Sequence, residues 1–141
     1  MHYSIGYTAG TFDLFHVGHL ILLENAKRFC DELIVGVNSD ELVNEYKNKR
    51  PIIPEKDRVR IIRSLRVVDK ALIVHSLDKV EAHGKLGFEV VFIGSDWKGN
   101  ERWIQTEKDL AKFGVQVQYL PYTKSISSTQ LAATLNKADN K

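Results

Sequence analysis

Five apolar runs of strand length alternate with longer segments of helical period, and this alternation predicts a single α/β domain built on a parallel sheet. Two further observations agree. The 141 residues suffice for one continuous core, and a composition of 43% hydrophobic and 27% charged residues argues against disorder. Glycine and polar residues also gather where successive strands end, which is where doubly wound sheets bind ligands.

The elements follow in order. Residues 3–9 read as a first strand and residues 20–29 as the helix after it. Residues 32–38 form a near-continuous apolar run, as expected of a strand covered on both faces. A helix over 39–46 opens with Ser39, Asp40 and Glu41, a capping hydroxyl followed by first-turn acids. Pro54-Glu55 opens a helix over 55–65 at a position that tolerates proline. Strands at 71–74, 88–94 and 115–120 are separated by helices at 77–86 and 102–113, and Gly87 and Gly114 follow those helices as C-cap glycines. A last helical stretch covers 127–135. Right-handed crossovers turn this order into an open, doubly wound, Rossmann-like sheet of five parallel strands with helices on both faces. The domain is expected over 1–135, with a short polar tail at 136–141.

Bulk properties exclude several classes. The net charge of +2 is too small for general nucleic-acid binding. No apolar run approaches the roughly 18 to 20 residues of a membrane span, and the N-terminus lacks the regions of a secretory signal. Cys30 is the single cysteine, which rules out an intramolecular disulfide or a thiolate cluster; it is expected late in the first helix, as a small buried side chain. The expectation is a cytoplasmic enzyme with no nucleic-acid partner and no membrane insertion.

The segment Gly10-Thr11-Phe12-Asp13-Leu14-Phe15-His16-Val17-Gly18-His19 puts two histidines three apart where the first strand passes into the first helix. A helix N-terminus leaves backbone N–H groups unpaired and carries partial positive charge, so it is a natural phosphate site. Two imidazoles there add donors that offset charge as a phosphoryl oxygen leaves. Gly10 and Gly18 let the backbone approach a ligand closely. Either histidine alone reads as a cap or a surface residue; together with the glycines they point to phosphate chemistry.

GTFD followed by HxGH resembles the signature of the HxGH nucleotidyltransferase superfamily, in its cytidylyltransferase branch, and the likeness is greatest to the small glycerol-3-phosphate cytidylyltransferases. It runs from about residue 3 to residue 135. The resemblance implies that His16 and His19 hold a nucleotide triphosphate and stabilise the departure of pyrophosphate, with Gly10, Thr11, Phe12, Asp13 and Gly18 shaping the nucleotide site. It implies CTP plus a phosphorylated alcohol giving a CDP-alcohol, with no covalent enzyme intermediate. It also implies Mg²⁺ carried mainly by the triphosphate, and a homodimer. Asp13 is a candidate ligand of that ion, direct or through water, or equally a residue that orients the loop.

Further segments take roles from the same likeness. The basic loop 46–54 reads either as a solvated charged stretch or as an electrostatic lid over a triphosphate; Lys47, Pro51 and Arg58 look like the family positions, with Lys49 an alternative to Lys47. Arg66, just before Val67-Val68-Asp69, is also singled out, whereas Arg60 and Arg63 read as surface residues. Gly94-Ser95-Asp96-Trp97 resembles the segment that lines the nucleotide and acceptor pockets; Gly94, Asp96 and Trp97 are its candidate binding residues. The family segment RTEGISTT corresponds to residues 122–129, so Thr123, Ile126, Ser127, Ser128 and Thr129 are expected beside the triphosphate. Here Tyr122 replaces the arginine, Lys124 the acid and Ser125 the glycine. Three alternatives follow: another acceptor such as phosphocholine, phosphoethanolamine or a sugar phosphate; adenylylation of a heptose or flavin phosphate with ATP; and a non-catalytic nucleotide-binding paralogue.

Overall fold

The structure, a computed structural model, describes residues 2–121; the expected helix over 127–135, the tail at 136–141 and the candidate residues from Thr123 to Thr129 lie outside it. Five strands and five α-helices alternate: β1 (Tyr3–Gly10), α1 (Val17–Lys27), β2 (Cys30–Asn38), α2 (Asp40–Lys47), α3 (Glu55–Arg63), β3 (Lys70–Val74), α4 (Lys79–Leu86), β4 (Val90–Gly94), α5 (Glu101–Ala111) and β5 (Gln116–Leu120). The strands form one sheet in the order β3-β2-β1-β4-β5, and every pairing is parallel. This is the doubly wound arrangement expected, with a reversal of winding between β1 and β4.

Both faces of the sheet are covered. On one face, Leu23 and Ala26 of α1 and Val59 and Ile62 of α3 pack against Leu33, Val35 and Val37 of β2. On the other, Trp103 and Leu110 of α5, with Val80, Ala82 and Leu86 of α4, pack against Tyr7, Ile34 and Val91. Alternating side chains of β2 therefore feed two cores, which explains why its sequence is apolar without a polar face. Burying this apolar surface from both sides is the main force holding the strands in register.

The local signals behave as their chemistry requires. Ser39 caps α2, its hydroxyl accepting from the Leu42 N–H at 3.1 Å. Gly87 ends α4 at φ 70°, a left-handed conformation that favours glycine, and its N–H returns to the His83 carbonyl at 2.8 Å. Two boundaries differ from expectation. α1 begins three residues earlier, at Val17, because a histidine supplies its cap. Cys30 opens β2 instead of closing α1: the chain turns at Arg28 and Phe29, and Cys30 pairs with Tyr3. It is buried all the same, its thiol donating to the Ala26 carbonyl at 3.6 Å. No helix among the described residues is long and apolar enough to cross a membrane.

Arg58 is 1% exposed and makes four hydrogen bonds. Its Nε donates to the Ile53 carbonyl at 2.8 Å, and Nη1 donates to the carbonyls of Thr11 at 2.7 Å and Asn38 at 2.8 Å. Nη2 donates to the Asp40 carboxylate at 2.7 Å. The guanidinium thus clasps the segments that follow β1 and β2 and the one that precedes α3. Four of the five N–H donors of Arg58 are thus taken inside the protein, and it does not line the cavity described below, where the family likeness had put it near phosphate. Removing it strands a carboxylate and three carbonyls, so Arg58→Met is expected to lower stability in denaturant unfolding by about 3 kcal/mol or more. Arg58→Lys should restore little of that, since an ammonium lacks the fork that reaches all three segments; a loss below about 1 kcal/mol in the methionine variant would refute the clasp.

Candidate active site

The turn from β1 into α1 is built under strain and then locked. Phe12 and Leu14 adopt positive φ, 53° and 50°, a conformation unfavourable for bulky side chains. Two restraints hold it. The Phe12 ring is buried against Gly10, where a Cβ would stand 3.0 Å from it. The Asp13 carboxylate accepts from Leu14 N–H at 3.1 Å, Ile52 N–H at 2.8 Å and Ile53 N–H at 2.9 Å. Asp13 thereby ties the turn to the end of the basic loop.

The two histidines close the N-terminus of α1 as a reciprocal cap. His16 Nδ1 accepts from the Gly18 N–H at 3.0 Å, and His19 Nδ1 accepts from the His16 N–H at 3.2 Å. Their rings stack with centroids 3.9 Å apart. An Nδ1 that accepts cannot carry the proton, so each neutral imidazole presents Nε2–H as a donor. His16 Nε2 is buried with no partner among the described residues. Burial lowers the pKa of His16; for His19 burial, then the His16 charge, lowers it to about 4, with Asp13 opposing.

These groups open on a cavity of about 550 Å³ at the carboxyl ends of the strands, where the winding reverses. The cavity brings together most of the described residues anticipated for it: Gly10, Thr11, Phe12, Asp13, His16, Gly18, His19, Lys47, Gly94, Asp96 and Trp97. Gly94 leaves room for the Asp96 carboxylate, whose Oδ1 stands 2.5 Å from where a Cβ would lie. Arg66 is not brought in; it is exposed ahead of the amino end of β3, whereas the cavity lies beyond the carboxyl ends. No group of three or more His, Cys, Asp or Glu side chains among the described residues could hold a metal ion.

Other lining residues escaped the sequence. The Tyr46 hydroxyl bridges Thr11 Oγ1 at 3.0 Å and Asn38 Nδ2 at 3.2 Å, tying the helix that carries Lys47 to the strained turn. Lys47 Nζ lies 5.9 Å from the Tyr46 ring centroid. Lys79, Arg102 and Trp103 line the cavity from α4 and α5. Burial, with Arg102 nearby, pushes the Lys79 ammonium down to about 8, against the opposing charge of Asp78. The available signal was positional: Lys79 lies just past the carboxyl end of β3, and Tyr46 immediately precedes Lys47.

The His19 shift has a measurable consequence. Its folded-state pKa near 4 lies below the ordinary 6.5, so between those values the unfolded chain binds more protons and stability falls as pH falls. In the protein without nucleotide, His19→Gln is expected to flatten the stability curve across that window in denaturant titrations. A curve with unchanged slope would assign the effect to another group.

Comparison with known proteins fits this geometry. The family model described as cytidylyltransferase-like matches residues 7–133. The chain is 34% identical over 125 residues to the bifunctional protein HldE of Koribacter versatilis, covering 88% of this chain but only 25% of that protein, so it spans about a quarter of that relative. It is 33% identical over 132 residues to an FAD synthase of Korarchaeum cryptofilum, covering 92% of this chain and 89% of the relative. Among solved structures, a lipopolysaccharide core biosynthesis protein from Thermoplasma volcanium superposes with TM-score 0.71 at 28% identity, covering 88% and 99% of the two chains. A pantoate-beta-alanine ligase from Francisella tularensis shares the fold, with TM-score 0.66 at 16% identity over 92% of this chain and 65% of that one. With the family match spanning nearly the whole length, this chain belongs to the cytidylyltransferase-like nucleotidyltransferases.

Proposed function

We propose that the chain transfers CMP from CTP to a phosphorylated small alcohol, with glycerol-3-phosphate the first acceptor to test, and releases pyrophosphate. The observation that carries this reading is the reciprocal histidine cap, which presents Nε2–H donors at a helix N-terminus on the cavity. The nucleotide's phosphates lie against α1, where backbone N–H groups and the two imidazoles converge. An oxygen of the acceptor phosphate attacks the α-phosphorus in line, the bond to the β-phosphate oxygen breaks, and its electron pair leaves with pyrophosphate. Both reactants are anionic, so positioning and charge stabilisation supply the catalysis. His16 and His19 donate to the α-phosphate and the departing oxygen, and Lys47, on the cavity wall, offsets the developing charge.

Mg²⁺, when bound, neutralises triphosphate charge and would be held chiefly by the nucleotide and water, since Mg²⁺ seldom takes a full protein cage. Asp13, with bonds to Ile52 and Ile53, serves mainly to orient the turn. Thr11, Phe12, Gly10 and Gly18 shape the phosphate turn, and Asp96 and Trp97 line the nucleotide and acceptor region. Thr123, Ile126, Ser127, Ser128 and Thr129 keep the triphosphate role that the resemblance implies. The resemblance likewise supports a homodimer, for which sedimentation is the test.

A second reading has an observation of its own: adenylyl transfer from ATP to a flavin phosphate or sugar phosphate, favoured by the near full-length likeness to an FAD synthase. Pyrophosphate release separates the two. CTP and ATP are each crossed with glycerol-3-phosphate, phosphocholine, phosphoethanolamine, heptose phosphate and flavin mononucleotide in the presence of Mg²⁺. Turnover confined to CTP with glycerol-3-phosphate is expected; turnover confined to ATP establishes the second reading, and nucleotide binding without release under any pair refutes both. His16→Asn keeps a capping acceptor but removes the Nε2–H donor, and should lower kcat by about a hundredfold with unfolding midpoint little changed.

A further inference from the structure

The cavity has two donor-rich ends on opposite faces of the sheet, one of neutral imidazoles and one of cationic side chains. α1, with its histidines, approaches from one face, whereas α4 and α5 belong to the layer on the other. Lys79 is the first residue of α4, and Arg102 and Trp103 lie in the first turn of α5, so the starts of two further helices border the same cavity.

Three features of this second end call for an anion. Lys79 Nζ donates to the Leu77 carbonyl at 3.0 Å, yet among the described residues neither Lys79 nor Arg102 has a carboxylate at salt-bridge distance. The nearby Asp78 carboxylate caps α4, accepting from Val80 and Glu81 N–H. Trp103 is 4% exposed, and its indole Nε1–H, a donor and nothing else, is buried with no acceptor among the described residues. A buried donor left unpaired is unfavourable, and one beside an ammonium is matched by an anionic oxygen. Lys79 Nζ sits 5.6 Å from the Trp103 ring centroid, so ammonium and indole belong to one cluster. A second cavity, of about 450 Å³, adjoins this cluster and is lined also by Gln105, Thr106 and Asp109.

We propose that Lys79, Arg102 and the Trp103 indole N–H form the subsite that binds the phosphate of the acceptor, and that the adjoining cavity takes the acceptor's hydroxyl-bearing body. This rests on the nucleotidyl-transfer reading above. Bringing two phosphates together requires donors for both, and the fold supplies them from opposite faces of the sheet. The acceptor oxygen forms the new bond to the α-phosphorus as pyrophosphate leaves, and the subsite residues themselves neither gain nor lose a bond to phosphorus.

The experiment uses the full chain and two readouts. Indole N–H resonances are followed by heteronuclear NMR during titration with inorganic phosphate, glycerol-3-phosphate and, as a neutral control, glycerol; Trp103→Phe identifies which of the two indoles is which. Phosphate and glycerol-3-phosphate should shift the Trp103 signal, and glycerol should not. In steady-state assays with CTP, Lys79→Gln and Arg102→Gln should each raise the acceptor KM by about tenfold or more, and Trp103→Phe by about threefold, with nucleotide Kd little changed. If these variants weaken nucleotide binding and leave acceptor KM unchanged, the cluster belongs to the triphosphate and the assignment is overturned. An unmoved Trp103 signal overturns it as well. The titration needs no turnover, so a wild-type protein that releases no pyrophosphate with any pair refutes the transfer reading while the indole signal still decides the anion site.

Discussion

The buried guanidinium of Arg58 is the interaction on which the site depends. Parallel strands end without a connecting hairpin, so nothing in the sheet itself fixes the loops beyond β1 and β2 relative to one another. Arg58 does so from beneath the cavity, bonding the carbonyls of Thr11, Asn38 and Ile53 and the Asp40 carboxylate. A rigid, permanently charged fork suits that position, because its planar donors reach several acceptors at once and Asp40 balances its charge. Asp13 reinforces the clasp by bonding the Ile52 and Ile53 amides, so the strained turn after β1 and the basic loop share one anchor.

Above that anchor, the electrostatics are arranged to receive negative charge. Burial favours the neutral form of both imidazoles, and the His16 charge adds to this at His19, with both Nδ1 atoms accepting backbone N–H bonds and both Nε2 atoms carrying the proton. Neutral donors at a helix N-terminus stabilise a developing oxyanion without first having to surrender a strong counter-ion. Lys79 is treated alike on the opposite face, where burial and Arg102 weaken its hold on its proton.

Much of the fold was legible because its signals are local. The two-faced apolar run of β2, the Ser39 cap and the Gly87 stop each act within a few residues, and each appears where the sequence puts it. The histidine pair was legible for a similar reason: three-residue spacing at a strand-to-helix junction confines both rings to one cap. Arg58 and Arg66 were misjudged because composition says only that an arginine can bind an anion. Whether its fork finds phosphate, carbonyls or water depends on what distant segments place around it. Tyr46, Asn38 and Trp103 were missed on the same ground, since an aromatic or amide beside a cleft looks in sequence like any other packing residue.

By itself, then, the sequence determined the alternation of strands and helices, the parallel sheet, the cleft at the strands' carboxyl ends and the histidine-capped turn of residues 10–19. These follow from periodicity and capping, which are properties of neighbouring residues. Only the tertiary structure decided the histidine tautomers, the inward turn of Arg58, the exclusion of Arg66 and the meeting of Lys79, Arg102 and Trp103. Each of these depends on groups far apart in the chain sharing one desolvated space, where the cost of an unpaired donor or charge decides which partners it takes.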